Sequence, residues 1–382
     1  MFTPFRFEPC VMPDSAGALR ERVRSFLREH EGSWTPWLKG HSWTGVDRDF
    51  SREVGKQGWI GMTWPKTYGG GEISMMERYV VLEEMLAIGA PVGAHWIADR
   101  QSGPLLLRVG TEAQRRRYLP PITRGDYAFC IGLSEPDSGS DLASVRTRAE
   151  RVPGGWRIDG RKIWTTNAQI CEYMIALVRT SGTVQDRQSG LSQFIIDLHT
   201  PGVEVRAIND LTKEAHFNEV TFDDVFVADD ALVGSEGQGW NQVNAELAFE
   251  RSGPDRYMSV YPLLPILIDT VRQQGGADRL DARRIGQTVA ELAVLREMSV
   301  SIAGMLAIGA TPNQEAAVVK EVGVALEQRM PDLVRELAGS QPALPALAEM
   351  HRAATQLAPT FSLRGGTREI IRGIIARGLG LR

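Results

Sequence analysis

The spacing of apolar residues changes period twice along this chain, and that change limits the folds open to it more than any single motif does. From about residue 15 to 125 apolar positions recur at helical spacing. Two stretches there, SMME (Ser74 to Glu77) and TEAQ (Thr111 to Gln114), have the capping-box form, in which a hydroxyl and a Glu or Gln three residues on satisfy each other's backbone amides. From about 128 to 232 the period falls to two. GGWRIDGRKIWTT places Asp159-Gly160 between short alternating runs and predicts a hairpin turn, while SQFIIDL and NEVTFDDVFV predict strands. After GSEGQGW the helical spacing returns, most plainly at Val289, Leu292, Leu295, Ser299, Ile302 and Leu306. No internal repeat, low-complexity run or long linker breaks this order. The pattern predicts a multidomain α+β chain with a helical domain at residues 1–126, an antiparallel β-domain at 127–235 and a second helical domain at 236–382.

Composition narrows the function. A chain of 382 residues can bury a sizeable core. Charged residues make up 24% of it, and the net charge is −4 with both signs dispersed, so no basic field attracts nucleic acid or an anionic membrane. A small or neutral-surfaced partner is expected. Cys10, Cys130 and Cys171 are far apart and lack CxxC spacing, which suggests neither a disulfide framework nor a zinc site and points to a reducing compartment. No run approaches the roughly eighteen apolar residues of a membrane span, and the N-terminus has no long apolar core. The expectation is a soluble, cytoplasmic protein.

Three stretches carry chemistry. In IGLSEPDSGSDLASVRTRA, Ser134, Ser138, Gly139 and Ser140 offer amides and hydroxyls that could cradle a phosphate or a polar heteroaromatic ring, or else form a Ser-rich surface loop turned by Pro136. The stretch lacks GxGxxG and GxxxxGK[ST], so Rossmann and P-loop readings fail. In KIWTTN, Trp164 and Thr166 share one face of a strand, where an indole can pack on a flat ring with a hydroxyl beside it; an ordinary half-buried tryptophan is the alternative. In FSLRGGTREIIRGIIAR, Gly365 and Gly366 either end a loop before a helix capped by Thr367, or leave room for a ligand against bare backbone.

Taken in order, these pieces resemble the acyl-CoA dehydrogenase family of flavoproteins. LSEPDSGSD looks like that family's signature and KIWTTN like its Lys-x-Trp-Ile-Thr-Asn strand. GTEAQRRRYLPPITRG, PKTYGGGEIS, NEVTFDDVFVADDALVGSEGQGW and GGTREIIRGIIA match at the expected separations. The resemblance implies an N-terminal helical domain, a middle β-domain and a C-terminal four-helix domain, with FAD held between the last two and across a subunit contact. It assigns Ile131, Leu133 and Ser134 to the flavin edge, and Ser140 to the FAD pyrophosphate and the pantetheine arm of the substrate. Trp164 would pack on the ring and Thr166 would donate to flavin N5, while Thr367 and Glu369 would reach FAD from the C-terminal helix. The implied reaction is α,β-dehydrogenation of an acyl-CoA, with electron-transfer flavoprotein or a similar protein as electron acceptor. A homodimer or homotetramer is implied, and a hetero-oligomer stays open.

The family's usual base, the Glu of Tyr-Glu-Gly-Thr, is missing, because this chain reads Arg364-Gly365-Gly366-Thr367. Two readings compete. In the first the base has moved, as in the subset exemplified by isovaleryl-CoA dehydrogenase: LAFERSGP supplies Glu250 as α-proton acceptor and Arg251 as the family arginine at the substrate. In the second the chain is a non-catalytic or half-site subunit of a hetero-oligomer. Gly365 leaves space that favours a branched or ring-bearing acyl group. The family's Arg-x-x-Phe-Gly segment is not visible around RQQGGADRLDARRIGQ, and LAGSQPALPALAEMHR stands where Gly-Gly-x-Gly-Tyr is usual, which puts the usual inter-subunit FAD contacts in doubt.

Overall fold

The structure, a computed structural model, describes residues 5–251, 253–339 and 344–381, without the side chains of Ser42 and residues 246–250. Part of the LAGSQPALPALAEMHR stretch, residues 340–343, thus lies outside the described residues. Both capping boxes form. The Ser74 hydroxyl accepts from the Glu77 amide and the Glu77 carboxylate from the Ser74 amide, opening the helix Met75–Ala87; Thr111 and Gln114 do the same for Glu112–Thr123.

The middle segment forms one eight-stranded sheet from β1 (Phe129–Gly132), β2 (Arg148–Val152), β3 (Gly155–Thr166), β4 (Tyr173–Arg179), β5 (Leu191–Asp197), β6 (Val203–Ile208), β7 (Phe217–Ala228) and β8 (Leu232–Val233). The strand order is β6-β7-β3-β2-β4-β5-β8, with β1 beside β4. Pairing is antiparallel except where β1 runs along β4 and where Arg148 of β2 meets Arg179 of β4. Alternate residues such as Trp156, Ile158, Met174, Ala176, Val178, Phe194, Ile196, Val220 and Phe222 are buried in one apolar core.

The expected hairpin at Asp159-Gly160 does not form. Both residues lie inside the continuous strand β3, at a shift in its register with β7, and the β2–β3 turn is made by Pro153-Gly154. Gly160 has φ +143°, and a Cβ there would stand 2.6 Å from the Thr147 hydroxyl. Its glycine is required by a close approach inside a bulge, and the alternation around it gives no sign that distinguishes this from a turn.

By contacts the chain divides into two compact units, one of Met1–Gly45, Ile73–Val92 and Glu250–Arg382, the other of Val46–Glu72 and Gly93–Phe249. In the first, the helices Leu263–Gln273, Asn313–Ala338 and Pro345–Phe361 pack Leu263, Leu267, Val324, Met330, Val334, Leu347, Met350, Leu357 and Phe361 together, and the helix Arg279–Ala307 lays the half-buried Ile285 and Leu292 against them. On the helix Arg279–Ala307 the spacing correctly buries Leu295, Ser299 and Ile302, but Val289 is exposed. Two successive three-residue steps each turn the stripe back by about 60°, which carries Val289 off the packed face. Among the described residues no helix is long and apolar enough to cross a membrane.

Candidate active-site residues

Two clusters hold the residues singled out by the sequence, one in each unit. In the sheet unit, Ile131 and Leu133 lie two apart at the end of β1 and are half-buried, as is Ser134. The Ser134 carbonyl accepts from the Ile163 amide at 2.9 Å, so the loop leaving β1 is stitched to β3. The loop then closes on itself: the Glu135 amide donates to the Ser138 carbonyl at 2.8 Å and the Ser138 amide returns a bond at 3.0 Å, over the tip Pro136-Asp137. The Ser138 hydroxyl is spent on the Asp141 carbonyl at 2.9 Å. Beyond it the loop opens. Ser140 is exposed, a Cβ on Gly139 would meet nothing within 4 Å, and the Gly139 and Ser140 amides make no hydrogen bond among the described residues. Two open backbone donors beside a hydroxyl suit an anionic oxygen.

Strand β3 supplies the flat surface. Its register with β7 shifts between Lys162 and Thr165, and within this bulge Trp164 takes φ +60°, a conformation uncommon for a bulky residue. The bulge breaks the alternation. Lys162 is fully buried, whereas Trp164, two residues on, is 56% exposed and braced edge-on by Phe217 at 6.0 Å and 90°. Thr166 ends the strand, half-buried, opposite Phe217. Trp164 is exposed and Thr166 half-buried on either side of the buried Thr165, within a strained bulge that sequence alternation does not show.

The charged residues behind these groups are not among those the sequence points to. Lys162 bonds Glu135 at 2.7 Å inside the sheet unit. Burial pulls the Lys162 ammonium below its usual value; on Glu135 burial works the other way, but Lys162, Thr147 and the Arg146 amide outweigh it and hold the carboxyl below the usual range. Arg179, also buried, donates to four carbonyls, those of Ala143, Val145, Arg187 and Ser189, and Arg187 pairs with Asp141 through two bonds. The one sequence signal is that Glu135 and Lys162 are charged residues inside the two motifs.

In the helical unit the two glycines form a turn with φ +63° and +95°, and Thr367 caps the helix Arg368–Gly378 by accepting from the Ile370 amide. The turn's carbonyls are taken by cations: Arg251 Nε donates to Gly365 at 3.0 Å and Lys320 Nζ donates to Gly366. Arg364, with 12% of its side chain exposed, pairs with the fully buried Glu327 at 2.7 Å and also donates to the Ser259 hydroxyl and the Asp255 carbonyl. Burial lowers the Arg364 guanidinium from its usual value, against the pull of Glu327. Glu369 is exposed, and its carboxyl is held below the usual range by its own backbone amide and by the Thr367 hydroxyl. Glu250 ends the helix Gly239–Glu250, and its side chain lies outside the described residues.

Residues 13–126 match the acyl-CoA dehydrogenase N-terminal domain and residues 130–225 the middle domain of the same family. The chain is 30% identical over 335 residues to acyl-CoA dehydrogenase FadE29 of Mycobacterium tuberculosis, covering 85% of this chain and 86% of that one. This chain belongs to the acyl-CoA dehydrogenase family. It is 36% identical over 239 residues to acyl-CoA dehydrogenase IpdE1 of Mycobacterium tuberculosis, 61% of this chain, and spans 62% of that relative's length. Among solved structures, the Tcur3481-Tcur3483 steroid ACAD superposes with a TM-score of 0.86 at 26% identity, over 97% of this chain and 98% of that one. The ChsE4-ChsE5 complex from Mycobacterium tuberculosis gives 0.84 at 26% identity, over 98% and 100%.

The family is one of flavoproteins, and the sheet unit fits such a group. An exposed indole held rigid by a bulge and by Phe217 offers a flat face, and the Gly139 and Ser140 amides offer donors with no Cβ in the way at Gly139.

Proposed function

We propose that this chain carries out FAD-dependent α,β-dehydrogenation of an acyl-CoA thioester to the 2-enoyl-CoA, with Glu250 as the α-proton acceptor. The observation that carries the reading is the exposed, strained Trp164 beside a loop stitched to its strand at Ser134. When bound, FAD supplies the acceptor for the hydride leaving the β-carbon. Trp164 would orient the ring and keep water from one face, with Ile131, Leu133 and Ser134 as the residues along its edge. Thr166 would donate its hydroxyl to the flavin, Ser140 would bind the pyrophosphate and the pantetheine arm, and Thr367 and Glu369 would contact FAD. Glu250 takes the α-proton, the role that the base of this chemistry requires. Arg251 and Gly365 line the acyl group, and Arg251 fixes the Gly365 carbonyl.

A ring-bearing acyl group is the substrate class we favour, supported by the absence of a side chain at Gly365 and by the steroid ACAD among the similar structures. Electron-transfer flavoprotein or a similar acceptor would reoxidise the enzyme. The second reading, a half-site subunit of a hetero-oligomer in place of a homodimer or homotetramer, is favoured by the two-protein ChsE4-ChsE5 complex among the similar structures.

The test is the visible spectrum of the chain purified alone. About one FAD per subunit, bleached by acyl-CoA, is expected. Glu250→Gln should keep the FAD and slow substrate-dependent reduction by roughly 10²-fold or more. A colourless chain that binds FAD only with a second protein would favour the half-site reading. Near-normal reduction by Glu250→Gln would remove Glu250 as base.

A further inference from the structure

Lys162 and Glu135 take no part in the chemistry above, yet they join its two main pieces. Their side chains are 0% and 6% exposed. Lys162 Nζ donates to Glu135 Oε1 at 2.7 Å and to the Leu133 carbonyl at 3.2 Å, and the next strand residue, Ile163, donates its amide to the Ser134 carbonyl at 2.9 Å. Two consecutive residues of β3 therefore fasten three consecutive residues of the loop. Glu135 is itself fixed from the far side, by the Arg146 amide at 2.6 Å and the Thr147 amide at 2.9 Å. Gly132 makes room for the lysine stem, because a Cβ there would stand 3.2 Å from Lys162 Cγ and 2.5 Å from Met174 Sδ. Immediately beyond Lys162 the strand bulges and Trp164 turns out to solvent.

A buried ion pair is a poor source of stability, since well-packed apolar residues often serve as well or better. What an ion pair with several fixed bonds does supply is one defined geometry. We propose that Lys162 and Glu135 are positioning residues that set the loop edge, Leu133 and Ser134, against the end of β3, Trp164 to Thr166, and thereby fix the environment of the flavin ring. The inference rests on the FAD reading above. Being a neutral pair, they act through placement and not through a net field.

The experiment is the double variant Lys162→Met with Glu135→Gln, which removes both charges together and leaves neither buried alone. Far-UV circular dichroism and a cooperative melt should show a folded protein. FAD should bind about tenfold or more weakly, and the visible band and reduction potential of the bound flavin should shift. A purely structural pair would move the melting temperature and leave affinity, spectrum and potential at their wild-type values, and that result overturns the proposal. Should the double variant not fold, Lys162→Gln, which keeps a donor near Glu135, is read in the same way, and unchanged flavin properties again overturn it. A wild-type chain that takes up no FAD, alone or with a partner protein, would overturn the FAD reading and this inference with it; wild-type binding with unaltered variant binding would overturn this inference alone.

Discussion

The sheet cluster and the glycine turn solve the same problem, holding bare backbone in place, by different means. In the sheet the fastening bonds join residues close in sequence: Lys162 to Glu135 is a separation of 27 residues. At the turn they range wider, from 37 residues for Arg364 and Glu327 and 46 for Lys320 and Gly366 to 114 for Arg251 and Gly365. The charges differ as well. In the sheet the Lys162–Glu135 pair is joined by Arg179, which binds four carbonyls, whereas at the turn Arg251 and Lys320 bind the Gly365 and Gly366 carbonyls and Arg364 pairs with Glu327. A loop fastened by near neighbours leaves both partners inside short motifs, while a turn held from elsewhere in the chain leaves its partners outside any motif.

The sharpest way to break this comparison is Arg364→Met, which leaves Glu327 buried without its arginine. A loss of about 3–5 kcal/mol is expected in denaturant unfolding, and a loss under about 1 kcal/mol would mean that the turn is not held by its charges. Next in size is the Glu250→Gln, Gly365→Glu double variant, read by stopped-flow reduction of the flavin. It should recover part of the roughly 10²-fold lost by Glu250→Gln alone, and only part, because φ +63° at 365 suits glycine better than glutamate. Recovery with straight-chain substrates only would sharpen the reading of Gly365 as room for a bulky acyl group.

Thr166→Val tests the sheet side. The fold should persist and flavin reduction should slow by up to about 10²-fold; an unchanged rate would take Thr166 out of the site. Acid provides a smaller test. The Glu135 carboxyl lies below its usual range, so the folded state prefers it charged. Its contribution is fully present above the unfolded value of about 4.3 and is lost as pH falls through the lower folded value. The stability of wild type should therefore drop below about pH 4 more steeply than that of the Lys162→Met, Glu135→Gln variant; equal slopes would count against the pair. The smallest effect is expected from Asp141→Asn, whose pair with Arg187 is about half exposed on both sides: the midpoint of denaturant unfolding should hardly move.

The sequence alone determined the order of helical and strand segments, both capping boxes, the Thr367 cap and the family, because each is carried by residue types at short, fixed spacing. Only the tertiary structure decided that Asp159-Gly160 is a bulge within β3, since a turn and a bulge share the same local composition and differ in what lies across the strand, here Thr147. Only it showed that Trp164 is exposed two residues after a buried lysine, because the register shift that reverses the alternation is set by pairing with β7. The partners of Glu135, Arg251 and Arg364 were likewise invisible in the sequence: a charged side chain names no partner, and the bond that gives it a role is made by folding across tens of residues or more.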